Sequence, residues 1–490
     1  LGASYALSSI DVSARTGGWA ERLNGSVVYT SNQDMSAMTR AQLDAAFNVN
    51  SSVVSVNNDG TAVYTITSPI STNGLDLATG SNTITATEVV QGVTSTVMIP
   101  RIPELIDQIG VNFTAWGAIL GFAGLGSLVG LTMANRFIVR FSSRRVLQVT
   151  TVLSALLIAL LPAITDPWVF FALQLVMSFV GSCLGIALNA QAVVLQKLMN
   201  RTIIGRFHGA WSVGAASSAA VSAFLASFMP IWLHLVLIPG LAALVYLWCT
   251  RLSLSPEEVG KANERKSAKK TSFFNSPKEL WLLAAGLFAG VMPEIAVMDW
   301  SAVFSKKVLF LDPGLGAVPY TVFGAAMILS RFSIGRLTRK RHISELAKIG
   351  GFFGAIALAL GVFIGPVLSQ QDPILGLVAT SFFWLIAGLG VGPMAPTFFA
   401  GAGTVKGLTT AQALARMSLT NSILIMGAKV LLGALAQNVN LIVAFIFPTV
   451  MMFAAAFIAG QLAKRVDRSA RVVDDAFPMT GPIGVISIDD

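Results

Sequence analysis

Eleven stretches of the chain are nearly unbroken apolar runs, read at 113–135, 146–164, 167–190, 209–229, 231–250, 279–303, 316–336, 345–368, 374–399, 410–436 and 439–463. About 18 or more such residues cross a bilayer as a helix, so each run predicts one crossing. A twelfth stretch, 82–100 (NTITATEVVQGVTSTVMIP), carries Glu88, Gln91 and several threonines and lacks the Leu and Phe density of the others. Hydropathy alone leaves it undecided. Residues 1–80 hold no such run and are rich in Ser, Asn, Thr and Gly. Within them Val53–Val56 and Ala62–Thr67 alternate apolar with polar on either side of Asn58-Asp59-Gly60, the pattern of a hairpin with a glycine-bearing turn. That segment reads either as a loosely ordered extension or as a small strand-rich module. No basic start followed by an apolar core precedes it, so no secretory signal is expected.

Composition agrees with the pattern. The 490 residues are 54% hydrophobic and only 12% charged, with a mean hydropathy of +0.71. Soluble domains devote about a quarter of their residues to charge, so a water-facing globule is excluded. The formal charge of +9 does not point to nucleic acid, because the basic residues sit between the apolar runs. Arg136, Arg140, Arg144 and Arg145 lie in one such segment, Lys197, Arg201 and Arg206 in another, and further clusters occupy 251–278, 331–348, Lys406 with Arg416, and 464–471. The alternate segments hold only Arg101, Lys306 and Lys307. The positive-inside rule then places both termini in the cytoplasm. Without the 82–100 helix, residues 1–100 would move to the far side. Cys183 and Cys249 both lie inside apolar runs, so no disulfide is expected, and nothing has metal-ligand spacing.

The chain also repeats itself weakly. Gln91-Gly92-Val93 through Arg101 aligns with Ala289-Gly290-Val291 through Asp299, and Asn135-Arg136 with Gly335-Arg336. Two six-helix halves joined by a basic linker form a parallel-repeat arrangement known among transporters.

Several motifs sharpen this. Arg101-Ile102-Pro103-Glu104-Leu105 with Gly110 and Trp116-Gly117, then Asn189-Ala190-Gln191, then Phe207-His208-Gly209 with Trp211-Ser212-Val213-Gly214, and Pro293-Glu294 through Asp299-Trp300-Ser301 resemble a bacterial group of the major facilitator superfamily related to the fucose-permease-like sugar transporters. The stretch from Gly130 to Val146 resembles that superfamily's cytoplasmic latch, with Asn135 in place of the usual Asp and Ser143 near an expected Gly. The resemblance spans about 90–465. It implies an all-α membrane protein of twelve helices in two pseudo-symmetric bundles: a polar extension (1–80), a first bundle (81–250), a basic linker (251–278), a second bundle (279–463) and a tail (464–490). It implies alternating access by a secondary transporter for a small polar organic solute, sugar-like in the leading case, coupled to protons, with the lipid bilayer as its medium and a monomer as its expected state. A transporter fold recruited as a receptor or assembly partner, without flux, is the alternative. An enzyme is not expected, since the three histidines at 208, 234 and 342 are scattered and no HExxH motif occurs. No cofactor, metal or nucleic acid is expected.

Ionisable groups inside the runs are the candidate chemistry, because each is costly in hydrocarbon and tends to face a cavity or a partner. Glu294 leads. Desolvation penalises the charged form of such a carboxylate, which suits a proton carrier, and Pro293 is expected to break the helix beside it. A fixed ion pair is the competing role, with Lys429 as the natural partner; snorkelling is the plainer reading for that lysine. Asn189, Trp300 and Asn421 are candidates to bind or stack on the solute, although polar groups also join helices to one another. Arg101 and Asp299 occupy equivalent places in the two halves and would form an external gate, unless Arg101 pairs with Glu104 or Asp107 in its own half. Arg136, Arg144 and Arg145 belong to the cytoplasmic latch, and Glu88 is a weaker site candidate.

Overall fold

The structure, a computed structural model, describes residues 9–13, 51–56, 61–66, 77–199, 204–250, 273, 276–339, 341–405 and 407–465. Most of the 251–278 linker, the tail beyond 465 and the turn at Asn58-Asp59-Gly60 lie outside the described residues, as does the side chain of His208. The chain forms two compact units, one of residues 1–82 with 194–201 and one of residues 83–193 with 202–490.

In the first unit, β1 (Ser9–Ser13), β2 (Ser51–Val56) and β3 (Thr61–Ile66) make an antiparallel sheet in the order β1-β3-β2. The alternating segments of the sequence form its β2–β3 hairpin, with Ser51 opposite Ile66 and an irregularity between Val53 and Ser55. β1 pairs on the other side of β3, a partner that the alternation does not announce.

The second unit is helical. Among the described residues eleven helices are long and apolar enough to cross a membrane: Phe113–Phe141, Ser143–Ala163, Pro167–Leu195, Gly209–Ala226, Ile231–Thr250, Lys278–Lys307, Val318–Leu337, Ile343–Ser369, Pro373–Thr404, Gln412–Asn438 and Leu441–Ala463. These are the second to twelfth spans. The place of the first is taken by the helix Leu77–Thr96, which is not among the eleven and continues through a turn at Ile99–Arg101 into Ile102–Ile109. Pro100 and Pro103 stand in first turns, where a missing N–H costs nothing, so they restart the helix rather than end it. Gly110 stops it in the left-handed conformation (φ 66°), which glycine adopts without a Cβ clash. The polar content of this span does not expose it. Thr87 donates to the Ile84 carbonyl (2.7 Å), Ser95 to that of Gln91 (2.7 Å), and Thr96 to those of Gly92 and Ala215.

Side-chain caps set other span starts. Asn112 accepts from Ala115 N–H, Asp372 from Ile374 N–H and Asn440 from Val443 N–H, and Thr409 with Gln412 forms a capping box. Pro293 does not break the seventh span, contrary to the expectation, and Lys278–Lys307 is one continuous helix. Proline is tolerated inside such helices because neighbouring groups re-satisfy the freed carbonyl. The interruption falls instead in the tenth span, where Pro373–Val391 gives way at Gly392-Pro393 to Met394–Gly401.

Contacts recur after a shift of six spans. The third packs on the sixth as the ninth on the twelfth, and the seventh on the eleventh as the first on the fifth. Ser127 and Ser182 join the second and fourth spans, and Ser330 with Leu389 the eighth and tenth. Between halves, the second meets the eleventh and the fifth meets the eighth, the pair expected of a two-fold axis. Outward-facing residues such as Val139 (78% exposed), Phe224, Trp248 and Phe457 are large and apolar. Soluble monomers rarely expose such a surface, whereas lipid covers it.

Candidate functional site

A cavity of about 470 Å³ lies between the two halves, within the usual range for small-molecule sites. Glu88 and Gln91 of the first span, Asn189 of the fourth and Trp211 of the fifth form one wall. Glu294 of the seventh, Arg331 of the eighth, Phe399 of the tenth and Asn421 of the eleventh form the other. Gly209, Phe332 and Phe399 carry it toward the ends of the spans that bear the basic clusters, here called the basic face.

The opposite face is sealed. Gly117 and Gly433 bring the second and eleventh spans backbone to backbone, since a Cβ built on Gly117 would stand 2.7 Å from Gly433 Cα. Phe113 N–H donates to Gln437 (3.0 Å), and its ring meets Trp300 edge-on at 5.7 Å. Lys306 Nζ reaches Asp107 at 2.7 Å, with Lys307 at 3.9 Å. Sequence reasoning considered Asp107 only as a local partner, so this link between the first and seventh spans was missed.

The expected ion pairs are rearranged. Glu294 lies just past the middle of its helix and binds Arg331 (3.0 Å), not Lys429. Lys429 binds Asp299 (2.8 Å), away from the cavity lining. Glu294 and Asp299 are five residues apart, roughly 140° around a helix of 3.6 residues per turn, so they meet different neighbours. Asp299 is accordingly not the partner of Arg101. That guanidinium, 2% exposed, spends its donors in its own half, on both Glu104 oxygens (2.8 and 3.1 Å), on His234 Nδ1 (3.1 Å) and on the Met229 carbonyl. His234 in turn meets Ser222 at 3.2 Å.

Asn189 donates to the Gly185 carbonyl (3.0 Å), and its Oδ1 is buried without a partner. Asn421 Oδ1 is likewise unpartnered. Trp300, expected to stack on a solute, is 1% exposed against Phe113 and does not line the cavity. On the basic face Arg136 and Arg145 are exposed and Arg144 is half-buried. There Gln191 of the fourth span donates to Ser143 (2.8 Å), and the positive φ falls on Ser142. Arg331 is the site residue that sequence reasoning passed over, because it was counted with the loop cluster. Its place six residues before the helix end at Leu337 is the signal that sets it inside. Among the described residues no group of three or more His, Cys, Asp or Glu side chains converges as a metal site would.

Residues 84–408 match the family model described as Major Facilitator Superfamily. An uncharacterized MFS-type transporter of Yersinia pestis is 26% identical over 361 residues, covering 73% of this chain and 88% of its own length. An uncharacterized transporter of Sinorhizobium fredii is 29% identical over 273 residues, covering 53% and 69%. Among solved structures, a mutant of the nucleoside transporter NupG superposes with a TM-score of 0.61 at 13% identity, over 79% of this chain and 100% of that one. A bacterial homologue of the human lysosomal transporter Spinster, solved inward-facing and unoccupied, gives 0.57 at 14% identity, over 80% and 96%. At such identity the likeness is one of fold.

Proposed function

Since this chain belongs to the Major Facilitator Superfamily of membrane transporters, we propose that it moves a small polar organic solute across a bacterial inner membrane by alternating access, using the proton gradient. One observation carries the reading: a cavity of small-molecule size walled by both halves, holding the Glu294–Arg331 pair and sealed on one face only. A site between two pseudo-symmetric halves becomes accessible from either side when the halves rock. In this role Glu294 and Arg331 anchor the solute's polar groups, and Asn189 and Asn421 select among its hydrogen-bonding groups. The Lys429–Asp299 pair fixes the eleventh span to the seventh, and the Asp107–Lys306 contact closes the sealed face.

The basic face is cytoplasmic on this reading, by the charge bias of the loops, and both termini lie there. The two six-span bundles of 81–250 and 279–463 are joined by the 251–278 linker, and the protein works as a monomer. Purified protein in proteoliposomes, screened against radiolabelled polar solutes with and without an imposed pH gradient, tests the proposal. Uptake of a solute that the gradient drives uphill is the expected result. Solute binding with no flux under any gradient would overturn it and favour a recruited receptor.

A further inference from the structure

The charged side chains that line the cavity do not balance: two carboxylates, Glu88 and Glu294, face one guanidinium, Arg331. Glu294 is answered by Arg331 at 3.0 Å. Glu88 is only 4% exposed, lines the same cavity, and has neither ion pair nor hydrogen bond among the described residues. Two amide oxygens are unmet as well. Asn189 spends its N–H on Gly185, so Asn189 Oδ1 and Asn421 Oδ1 are buried acceptors without donors. Ser95 turns its hydroxyl to the Gln91 carbonyl and offers the cavity no donor. Trp211, Phe332 and Phe399 fill out the walls, and aromatic faces attract cations.

Unmet acceptors are costly when buried, and a buried carboxyl either holds a proton or is charged against a counter-charge that reaches it. An occupant that relieves these groups brings hydrogen-bond donors and positive charge. A neutral sugar-like solute supplies the first and leaves Glu88 unanswered. An anion meets two carboxylates against one guanidinium, that of Arg331, whose Nη2 is held by Glu294 and whose Nε is the buried donor left without a partner. The charged groups facing Glu88 across the cavity are Glu294 and Arg331, which cancel; Tyr246 of the sixth span lies within electrostatic reach.

We propose that the cavity takes an organic cation, a small solute bearing a protonated amine, with Glu88 as its counter-ion and Asn189 Oδ1 and Asn421 Oδ1 accepting from it. The proposal rests on the transport reading and narrows its solute from polar to cationic.

The test measures the sign of the cavity without knowing the solute. In a protein whose buried Cys183 and Cys249 are replaced by alanine, Ser95→Cys places a thiol on the cavity wall. Its reaction rates with the cationic trimethylammonioethyl and the anionic sulfonatoethyl methanethiosulfonates are compared, each divided by the rate for a free thiol in solution. The cationic reagent should be favoured about tenfold, equivalent to about 1.4 kcal/mol. Glu88→Gln should bring the ratio close to one, and Glu88→Asp should keep most of it. A ratio at or below one with Glu88 present would overturn the proposal, and that measurement needs no variant at Glu88 to fold. A preference that survives Glu88→Gln would overturn it equally. Neither reagent has to cross the membrane, so absence of flux would defeat the transport reading while this ratio stood.

Discussion

Gly117→Ala should push the molecule out of the conformation seen here. A Cβ at that position would stand 2.7 Å from both Gly433 Cα and the Lys429 carbonyl oxygen, against about 3.5–4.0 Å for relaxed contact. Both obstacles are backbone, so no rotamer relieves the overlap; the second and eleventh spans have to separate by most of an ångström. Overpacking of this kind costs about 1–3 kcal/mol. Here an escape exists, because a state opened on the sealed face has no such contact. The penalty therefore falls on one state alone and shifts the equilibrium by about 5- to 150-fold. Spin labels at Thr165 and Gln371, both exposed at the sealed face, would report it by double electron–electron resonance as a growing long-distance population. An unchanged distance distribution with a lowered melting temperature would refute the reasoning, leaving Gly117 a packing residue with no part in the choice of state.

Glu294→Gln strands the Arg331 guanidinium, 13% exposed, and should lower the detergent melting temperature; Arg331→Leu added to it should recover part of the loss, and strictly additive losses would deny the coupling. Arg101→Lys should destabilise nearly as much as Arg101→Ala in the same assay, because only the guanidinium fork reaches Glu104, His234 and Met229 together; a fully stable lysine variant would contradict this. Lys306→Ala should move the distance distribution only slightly, since the side chains of Lys306 and Asp107 are 33% and 51% exposed and such pairs contribute at most about 1 kcal/mol. For orientation, cysteines at Arg145 and Arg339 should resist an impermeant thiol reagent in intact cells while those at Thr165 and Gln371 react; the reverse pattern would invert the topology.

Eleven spans were legible because hydrocarbon tolerates little but apolar side chains, and composition alone then marks them. The first was legible from the loop charges and the internal repeat but not from hydropathy, since Glu88 and Gln91 serve the cavity and its threonines satisfy their hydroxyls against the helix backbone. Neither fact is visible to a hydropathy average. The candidate charges were legible one by one, but their pairing was not. Which of Glu294 and Asp299 meets Lys429 depends on the rotation of the seventh span relative to the eleventh, which loop charges and repeat spacing leave open. The same limit explains the misplaced break: Pro293 follows Met292, whereas Pro393 follows Gly392, and it is at the glycine-proline pair that the helix parts.

The first and fifth spans meet through Gly92 and Gly214, each against the other helix's backbone, and are tied by Thr96 to Ala215 and Ser218 to Val93. With no side chain between them to re-pack, they form a single beam, and Glu88 and Trp211 ride on it at fixed spacing. The facing wall is jointed, because the tenth span changes course at Gly392-Pro393 just before Ala395 and Phe399 reach the cavity. Accommodation to solutes of different girth is then one-sided: the beam sets where the charge is held, and the joint takes up the volume.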